Sequence, residues 1–394
     1  EELLVESIKK QLISDRPIGC FLSGGVDSST ITALASKISK NKIKTFTIGF
    51  TDPRFNEAKI AKEIAKNLNT EHFEYYFKED ELLGNIDKIP VIYDEPFSDS
   101  SQLPTILLSQ KAKKEVTVAL SGDGGDELFG GYNRYHFINR YWPLIKMLPY
   151  SIRAKISDFL IYSNKKVINL FIRKIEFFLS KNKKSPLGIQ NLFIKSINSF
   201  GAKNEKKLFE NLVSDSFEDS ILIGDEQNDF ELYKENKDLD LNNVQNFMYN
   251  DFINYFHNDI MTKVDRASMS VSLETRTPFM DKSMIEFSWN DIKNNKELKN
   301  KKFILKKILE KHLPKDLIHR PKSGFSIPID DLLRTTLKDW MIDHLNMDNI
   351  KKYKIFSCEK IDKMVKDHLN FKSNYGQQLW SLIIFHQWKL FYEV

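Results

Sequence analysis

The chain has 394 residues, 41% hydrophobic and 29% charged, which is enough for two or three globular units and too apolar for a disordered tail. Lys plus Arg number 59 and Asp plus Glu 54, so 59 − 54 leaves a net charge of +5, without the focused basic excess of a nucleic-acid binder. Two cysteines, Cys20 and Cys358, exclude a disulfide scaffold or a cysteine-built zinc cage and suit a reducing cytoplasm. No apolar run approaches the roughly 20 residues that span a bilayer. The most hydrophobic stretch, 141–162, is cut by Lys146, Pro149, Arg153 and Lys155. The chain starts at Glu1, and Glu1-Glu2-Leu3-Leu4 carries no signal-peptide pattern.

Leu3, Leu4, Ile8 and Leu12 recur at helical spacing, so the chain opens with an amphipathic helix that Pro17 ends. Residues 18–22 form a short apolar run, read as a buried strand. A glycine-containing turn follows at 23–26. Ile31, Leu34, Ala35 and Ile38 then mark one face of a helix packed on a sheet. Strands are expected at 43–50, 71–77 and 115–120, with helices over 56–68 and around Leu107 and Leu108. Strands alternating with helices imply βαβ units, a parallel sheet and right-handed crossovers. The expected organisation is an α/β nucleotide-type core at 15–135, a variable helical insert at 140–240 and a mostly helical part at 245–394, with loops at 276–279 and 320–328. Within the insert, Val167, Leu170, Phe171, Ile175 and Phe178 keep helical spacing. The lysine pairs at 165–166, 183–184 and 206–207 read as solvated faces and loops rather than phosphate patches.

The most informative segment is Ser23-Gly24-Gly25-Val26-Asp27-Ser28-Ser29, between a strand and a helix. A turn entering a helix aims unpaired backbone N–H groups and the positive end of the helix dipole at one spot, which suits phosphate. Gly24 and Gly25 allow close approach of the backbone. Ser23, Ser28 and Ser29 add hydroxyl donors. Asp27 beside a phosphate implies an intervening cation, and Mg²⁺ is the usual one. A plain turn with Asp27 or Ser28 as N-cap is the competing reading. The loop is neither G-x-x-x-x-G-K-[ST] nor G-x-G-x-x-G.

A second glycine loop follows the last of these strands: Ser121-Gly122-Asp123-Gly124-Gly125-Asp126-Glu127-Leu128-Phe129-Gly130-Gly131-Tyr132. Three carboxylates in five residues repel one another unless cations or donors compensate. Both loops follow strands, so both are expected at the carboxyl edge of the sheet, where ligands of open α/β sheets bind. Two acidic glycine loops on one edge make a metal–nucleotide constellation.

SGGVDSS resembles the PP-loop of the N-type ATP pyrophosphatases, shared by GMP, NAD and asparagine synthetases. The second loop resembles the asparagine synthetase family more specifically. So do 272–281 (SLETRTPFMD), 302–306 (KFILK), 320–325 (RPKSGF), 262–269 (TKVDRASM) and the terminal 378–380 (QLW). The resemblance runs over nearly the whole chain and is weakest at 140–240. It implies an adenine-nucleotide α-hydrolase-like sheet flanked by helices, with a mostly helical C-terminal part.

By that resemblance the main chain at Leu22 and Ile48 contacts the adenosine, with Ser23, Gly24, Gly25, Asp27 and Ser28 around the pyrophosphate. Ser121 and Gly122 lie near the reacting end of the nucleotide. Asp27 and Asp126 hold Mg²⁺. Lys302 is the catalytic lysine near the phosphates; taken alone it reads as a surface helix lysine. Asp123 and Glu127 lie near the acceptor. The implied reaction is ATP-dependent amidation through an acyl-adenylate: aspartate, ATP and glutamine-derived ammonia give asparagine, AMP and diphosphate. Aspartate-specific members carry Glu at the position of Asp123, and Ser or Ala at Gly125. This departure keeps other acceptors open, including surface-polysaccharide carboxylates and the intramolecular closures of β-lactam synthetases and lasso-peptide cyclases. A non-catalytic ATP-binding module is a further alternative, disfavoured by intact Asp27, Asp126 and Lys302.

The family's glutaminase domain, with its N-terminal nucleophilic cysteine, precedes this region. Since the chain begins at Glu1, that domain is expected to be absent, with ammonia arriving from an upstream domain, in trans or from solution. The partners expected are small molecules (ATP, aspartate or another carboxylate, ammonia), with neither nucleic acid nor membrane; a homodimer is compatible with this. The location expected is cytoplasmic. The eight histidines form no H-E-x-x-H, there is no G-x-S-x-G elbow, and Cys20, inside a strand, reads as a buried structural thiol.

Overall fold

The computed structural model describes residues 1–50, 56–77, 79–162, 194–214, 221–223, 232–235, 241–291, 300–320 and 327–392. The lysine pairs at 165–166 and 183–184, the periodicity of 167–178 and residues 321–325 of the RPKSGF block lie outside them. The described residues form two compact units, 1–95 with 99–136 and 248–327, and 96–98 with 137–247 and 328–394.

The first unit holds the sheet. Helix α1 (Glu2–Gln11) leads into strand β1 (Ile18–Phe21), helix α2 (Val26–Ile38), strand β2 (Lys44–Gly49), helix α3 (Ala58–Asn67) and strand β3 (Glu71–Tyr76). After the Gln102–Ala112 helix comes β4 (Val118–Leu120), and β5 (Glu274–Arg276) completes the sheet. The order is β3-β2-β1-β4-β5, and every pair is parallel. The expected parallel sheet flanked by helices is present. Central β1 and β2 are apolar and covered, with Cys20 and Phe46 both at 0% exposure, as strands buried on two faces require. Burial pushes the Cys20 thiol up to about 12, so it is an inert core residue. Edge strand β3 leaves Glu71 and Tyr76 exposed, while Glu74 pairs with Lys62 at 3.1 Å; charge on an edge strand discourages edge-to-edge pairing.

The fifth strand departs from the expectation for 245–394. Glu274 pairs with Val118 and Arg276 with Leu120, and Ser121 N–H donates to the Arg276 carbonyl at 2.8 Å. Arg276 therefore ends a strand, and Pro278–Met280 is a short 3₁₀ turn rather than irregular loop. Three residues are too few to show a period of two.

The chain runs β1→β2→β3 to one side of β1 and then returns to β4 on the other. This reversal makes a switch point between β1 and β4, where the loops at their carboxyl ends diverge and leave a crevice. Those loops are 22–25 and 121–124.

The second unit is helical among its described residues. The Gly376–Tyr392 helix buries Leu379, Trp380, Ile383 and Ile384, and the Trp380 ring lies 6.0 Å from that of Trp340. Leu379 and Trp380 of the terminal QLW segment are thus core residues of this unit. Within 140–240, Trp142 Nε1 donates to Glu205 Oε1 at 3.0 Å, and Arg153 ties the Phe200 and Ala202 carbonyls. Lys206 and Lys207 sit on an exposed helix face, with Lys207 paired to Glu210 at 3.2 Å.

Candidate active site

Helix α2 begins directly behind the first loop. Gly25 occupies its N-cap with extended backbone and contributes no side-chain cap. Capping is partly replaced by serines: Ser23 Oγ accepts the Gly25 N–H at 3.3 Å and lies 3.1 Å from Ser28 Oγ. The first-turn N–H groups of a 13-residue helix and two hydroxyls thus meet at the switch point. Gly24 has φ +81°, a left-handed conformation that disfavours side chains.

A cavity of about 380 Å³ opens here. Its lining includes Leu22, Ser23, Gly25, Asp27, Ser28 and Ile48 from the first half of the sheet, and Ser121, Gly122, Asp123, Asp126 and Glu127 from the second. The structure therefore brings these expected residues together. Two of the residues singled out in the first loop lie elsewhere. Gly24 turns its carbonyl to the Arg320 guanidinium, and Ser29 is buried in the interior at 1% exposure. Ser29 is a correction, because it falls on the packed face of α2; Gly24 takes the positive φ expected of it. Leu22 N–H is committed to the Phe46 carbonyl at 2.9 Å.

The two glycine loops pack backbone to backbone. A Cβ on Gly122 would lie 2.6 Å from Ser28 N and 2.9 Å from both Asp27 C and Ser28 Cα. Only glycine lets the second loop pass this close to the first turn of α2.

Lys302 is no surface lysine. It is 5% exposed, and its ammonium pairs with Asp27 and, at 2.6 Å, with Asp126. The helix it precedes, Phe303–Leu309, buries Leu305 and Leu309. Leu309 joins a cluster with Leu22, Ala33, Ala61, Ile64 and Leu313, so the packing on α2 and α3 aims Lys302 at the loops. Truncating Leu309 to Ala would loosen this seat at a cost of about 2–5 kcal/mol. Lys302 itself takes φ +52°, a conformation that costs an L-residue roughly 1–2 kcal/mol. Its N–H donates to the Phe129 carbonyl at 3.2 Å.

Several cavity groups carried no local signal in the sequence. Lys263 Nζ lies 3.0 Å from Asp99 Oδ2 and 4.0 Å from Asp259 Oδ1. Burial alone would raise Asp99, but the Lys263 ammonium holds it below the usual carboxylate range. Burial and the Asp99 charge raise Asp259. The polar run 98–101 before the Gln102–Ala112 helix was the available hint for Asp99, since such residues cluster at helix starts. Lys263 lies within the TKVDRASM block, yet nothing local distinguished it from a solvent-facing lysine.

Tyr132 and Tyr255 form the wall behind Glu127. Tyr132 donates to Glu127 Oε1 at 2.6 Å. Burial first, then the Asp126 charge, raises the Glu127 carboxyl to about 8. Tyr255 sits on an 11-residue π-helix, Asp251–Met261, a form rare in soluble proteins and concentrated at functional sites. The Arg134 guanidinium lies 4.1 Å over the Tyr132 ring and 5.5 Å from that of Tyr255, anchored to fully buried Asp251 at 2.6 Å. At the head of the acidic loop, Ser121 Oγ donates to Asp123 Oδ2 at 2.5 Å.

Among the described residues the cavity wall carries the carboxyls of Asp27, Glu57, Asp99, Asp123, Asp126 and Glu127 and one ammonium, that of Lys263, with Lys302 against Asp27 and Asp126 behind it. Such a wall repels a polyphosphate unless cations accompany it. Among the described residues no group of three or more His, Cys, Asp or Glu is arranged to hold a metal by itself. Two carboxylates facing a phosphate cradle fit Mg²⁺, which is commonly held by one or two carboxylates plus substrate phosphates and waters.

The asparagine synthase family model matches residues 1–390. The chain belongs to that family. It is 29% identical over 98% of its length to asparagine synthetase [glutamine-hydrolyzing] 1 of Bacillus subtilis, covering 58% of that protein. It is 27% identical over 82% of its length to asparagine synthetase [glutamine-hydrolyzing] 3 of the same organism, covering 47% of it. Over 34% of the chain it is 35% identical to asparagine synthetase B [glutamine-hydrolyzing] of Escherichia coli, covering 27% of that protein. The chain thus spans about half the length of these two Bacillus subtilis relatives. Among the described residues no helix is long and apolar enough to cross a membrane.

Proposed function

We propose that the chain is the synthetase part of an ATP-dependent amidating ligase that activates a carboxylate as an acyl-adenylate, with aspartate as the acceptor. The observation that carries this reading is the convergence of Asp27, Asp126 and Lys302 beside an uncapped helix N-terminus. An adenine would lie along the apolar side of the cavity at Leu22, Phe46 and Ile48. The polyphosphate would reach the N–H groups and hydroxyls of residues 23–28. Mg²⁺, held by Asp27 and Asp126, would neutralise charge on the polyphosphate.

The acceptor carboxylate attacks the α-phosphorus and the α–β bridging oxygen leaves with pyrophosphate. Lys302 and the backbone N–H groups stabilise the charge that develops there. Ammonia then attacks the acyl carbon, AMP leaves, and the surplus proton passes to a base. Ammonia from a glutaminase, upstream or in trans, is part of the same proposal, as is a cytoplasmic location.

A second acceptor class has one observation in its favour. Asp123 is a methylene shorter than the Glu of aspartate-specific members, and Ser121 engages one of its oxygens. A shorter side chain at this position would leave room for a larger carboxylate.

ATP–pyrophosphate exchange against a panel of carboxylic acids, followed by amide formation with ammonia, tests the reading. Exchange with aspartate alone identifies the acceptor, and exchange only with another acid moves the assignment to the second class. ATP binding with no exchange across the panel overturns the enzyme reading. Lys302→Ala and Asp126→Asn are each expected to slow pyrophosphate release by on the order of 10²-fold or more. Near-normal rates in both would refute their roles.

A further inference from the structure

The two carboxylates that face the phosphate cradle are already bridged by a cation of the chain itself. The Lys302 ammonium contacts Asp27 and lies 2.6 Å from Asp126. The side chains of these residues are 7%, 13% and 15% exposed, so solvent screens the cluster weakly. Two carboxylates and one ammonium sum to −1. A divalent cation entering alone would have to share these oxygens with an ammonium at contact distance or displace it.

Displacement is also constrained by the backbone. Lys302 is fixed at the start of the Phe303–Leu309 helix, in left-handed conformation, with its N–H on the Phe129 carbonyl. Its stem passes Gly131, where an added Cβ would collide with both Lys302 Cε and Asp126. The ammonium therefore has little room to retreat, and it moves off the carboxylates only toward a new anion within its own reach. A polyphosphate in the 23–28 cradle supplies such an anion beside Asp27.

We propose that Lys302 is a resident counter-cation that keeps the Asp27–Asp126 pair closed to divalent metal until a nucleotide polyphosphate arrives, so that metal and nucleotide load together. This rests on the assignment of those carboxylates to Mg²⁺ and adds to it an order of binding set by the chain.

The test is a Mn²⁺ titration without nucleotide, read by electron paramagnetic resonance of the free ion, on the whole chain and on Lys302→Met. The expected result is at least tenfold tighter Mn²⁺ binding in Lys302→Met, with ATP tightening Mn²⁺ binding strongly in the unsubstituted chain and much less in the variant. Lys302→Gln removes the charge but keeps an N–H donor on a side chain one atom shorter. It serves as the second variant should the methionine variant not fold, with the same direction expected. Equal or weaker nucleotide-free binding in the folded variant overturns the proposal. So does a chain that takes up Mn²⁺ equally well with and without ATP. Adenylation is read separately as pyrophosphate release. Tighter Mn²⁺ binding by Lys302→Met, together with an unsubstituted chain that releases no pyrophosphate with any acid of the panel, would sink the enzymatic reading alone.

Discussion

Substituting Gly122 by Ala probes whether the two glycine loops act as one device. The added methyl would sit 2.6 Å from Ser28 N and 2.9 Å from Asp27 C, where ordinary contacts run at about 3.5–4.0 Å. The loops must separate by roughly 1 Å, and no side-chain rotation can relieve the clash, because the atoms struck are backbone of the first turn of α2. Overpacking of this kind costs about 1–3 kcal/mol. The larger effect falls on function, since a displacement near 1 Å of a positioning element can cost on the order of 10²-fold in rate. The expected outcome is a melting temperature lower by several degrees, ATP binding weakened at least tenfold by calorimetry, and pyrophosphate release slowed by about 10²-fold. Gly84→Ala is the control, because its Cβ would meet nothing within 4 Å. A Gly122→Ala variant with unchanged ATP affinity and rate would refute the claim that the second loop braces the phosphate cradle.

Other outcomes test the supporting structure. Arg134→Ala leaves Asp251, at 0% exposure, without its guanidinium. A loss of about 3–5 kcal/mol in urea unfolding is expected, with a smaller loss for Arg134→Lys, and equal losses for the two would deny the stacked guanidinium a special part. In the second unit, His368 Nδ1 accepts from Arg334 and from Tyr375 N–H, and its Nε2 faces the Asp330 carbonyl. The ring is thus held neutral, and burial, then the Arg334 charge, lowers its pKa to about 4. Below pH 6.5 the unfolded chain binds a proton that the folded one refuses. This stability is present above pH 6.5 and lost as pH falls toward 4, by up to about 3 kcal/mol. Melting temperature against pH should fall less steeply below 6.5 in His368→Asn; parallel curves would contradict the assignment.

Local spacing carried much of the architecture. Alternating apolar runs and helical periodicities over 1–120 determined the parallel sheet, because each strand and helix buries a face that its own residues must supply. Glycines and carboxylates after two of those runs marked the site, since a loop that presents backbone to phosphate shows its composition directly. Tertiary structure decided which groups meet there. β5 comes from residues 274–276 and pairs with a strand some 150 residues earlier. Asp99 finds Lys263 across 164 positions, and Asp27 finds Lys302 across 275. Hydrogen-bond ladders and ion pairs choose partners by proximity in space. A single lysine before a helix reads the same whether it faces water or closes a buried pair of carboxylates, and only the packing of its helix against α2 settled which.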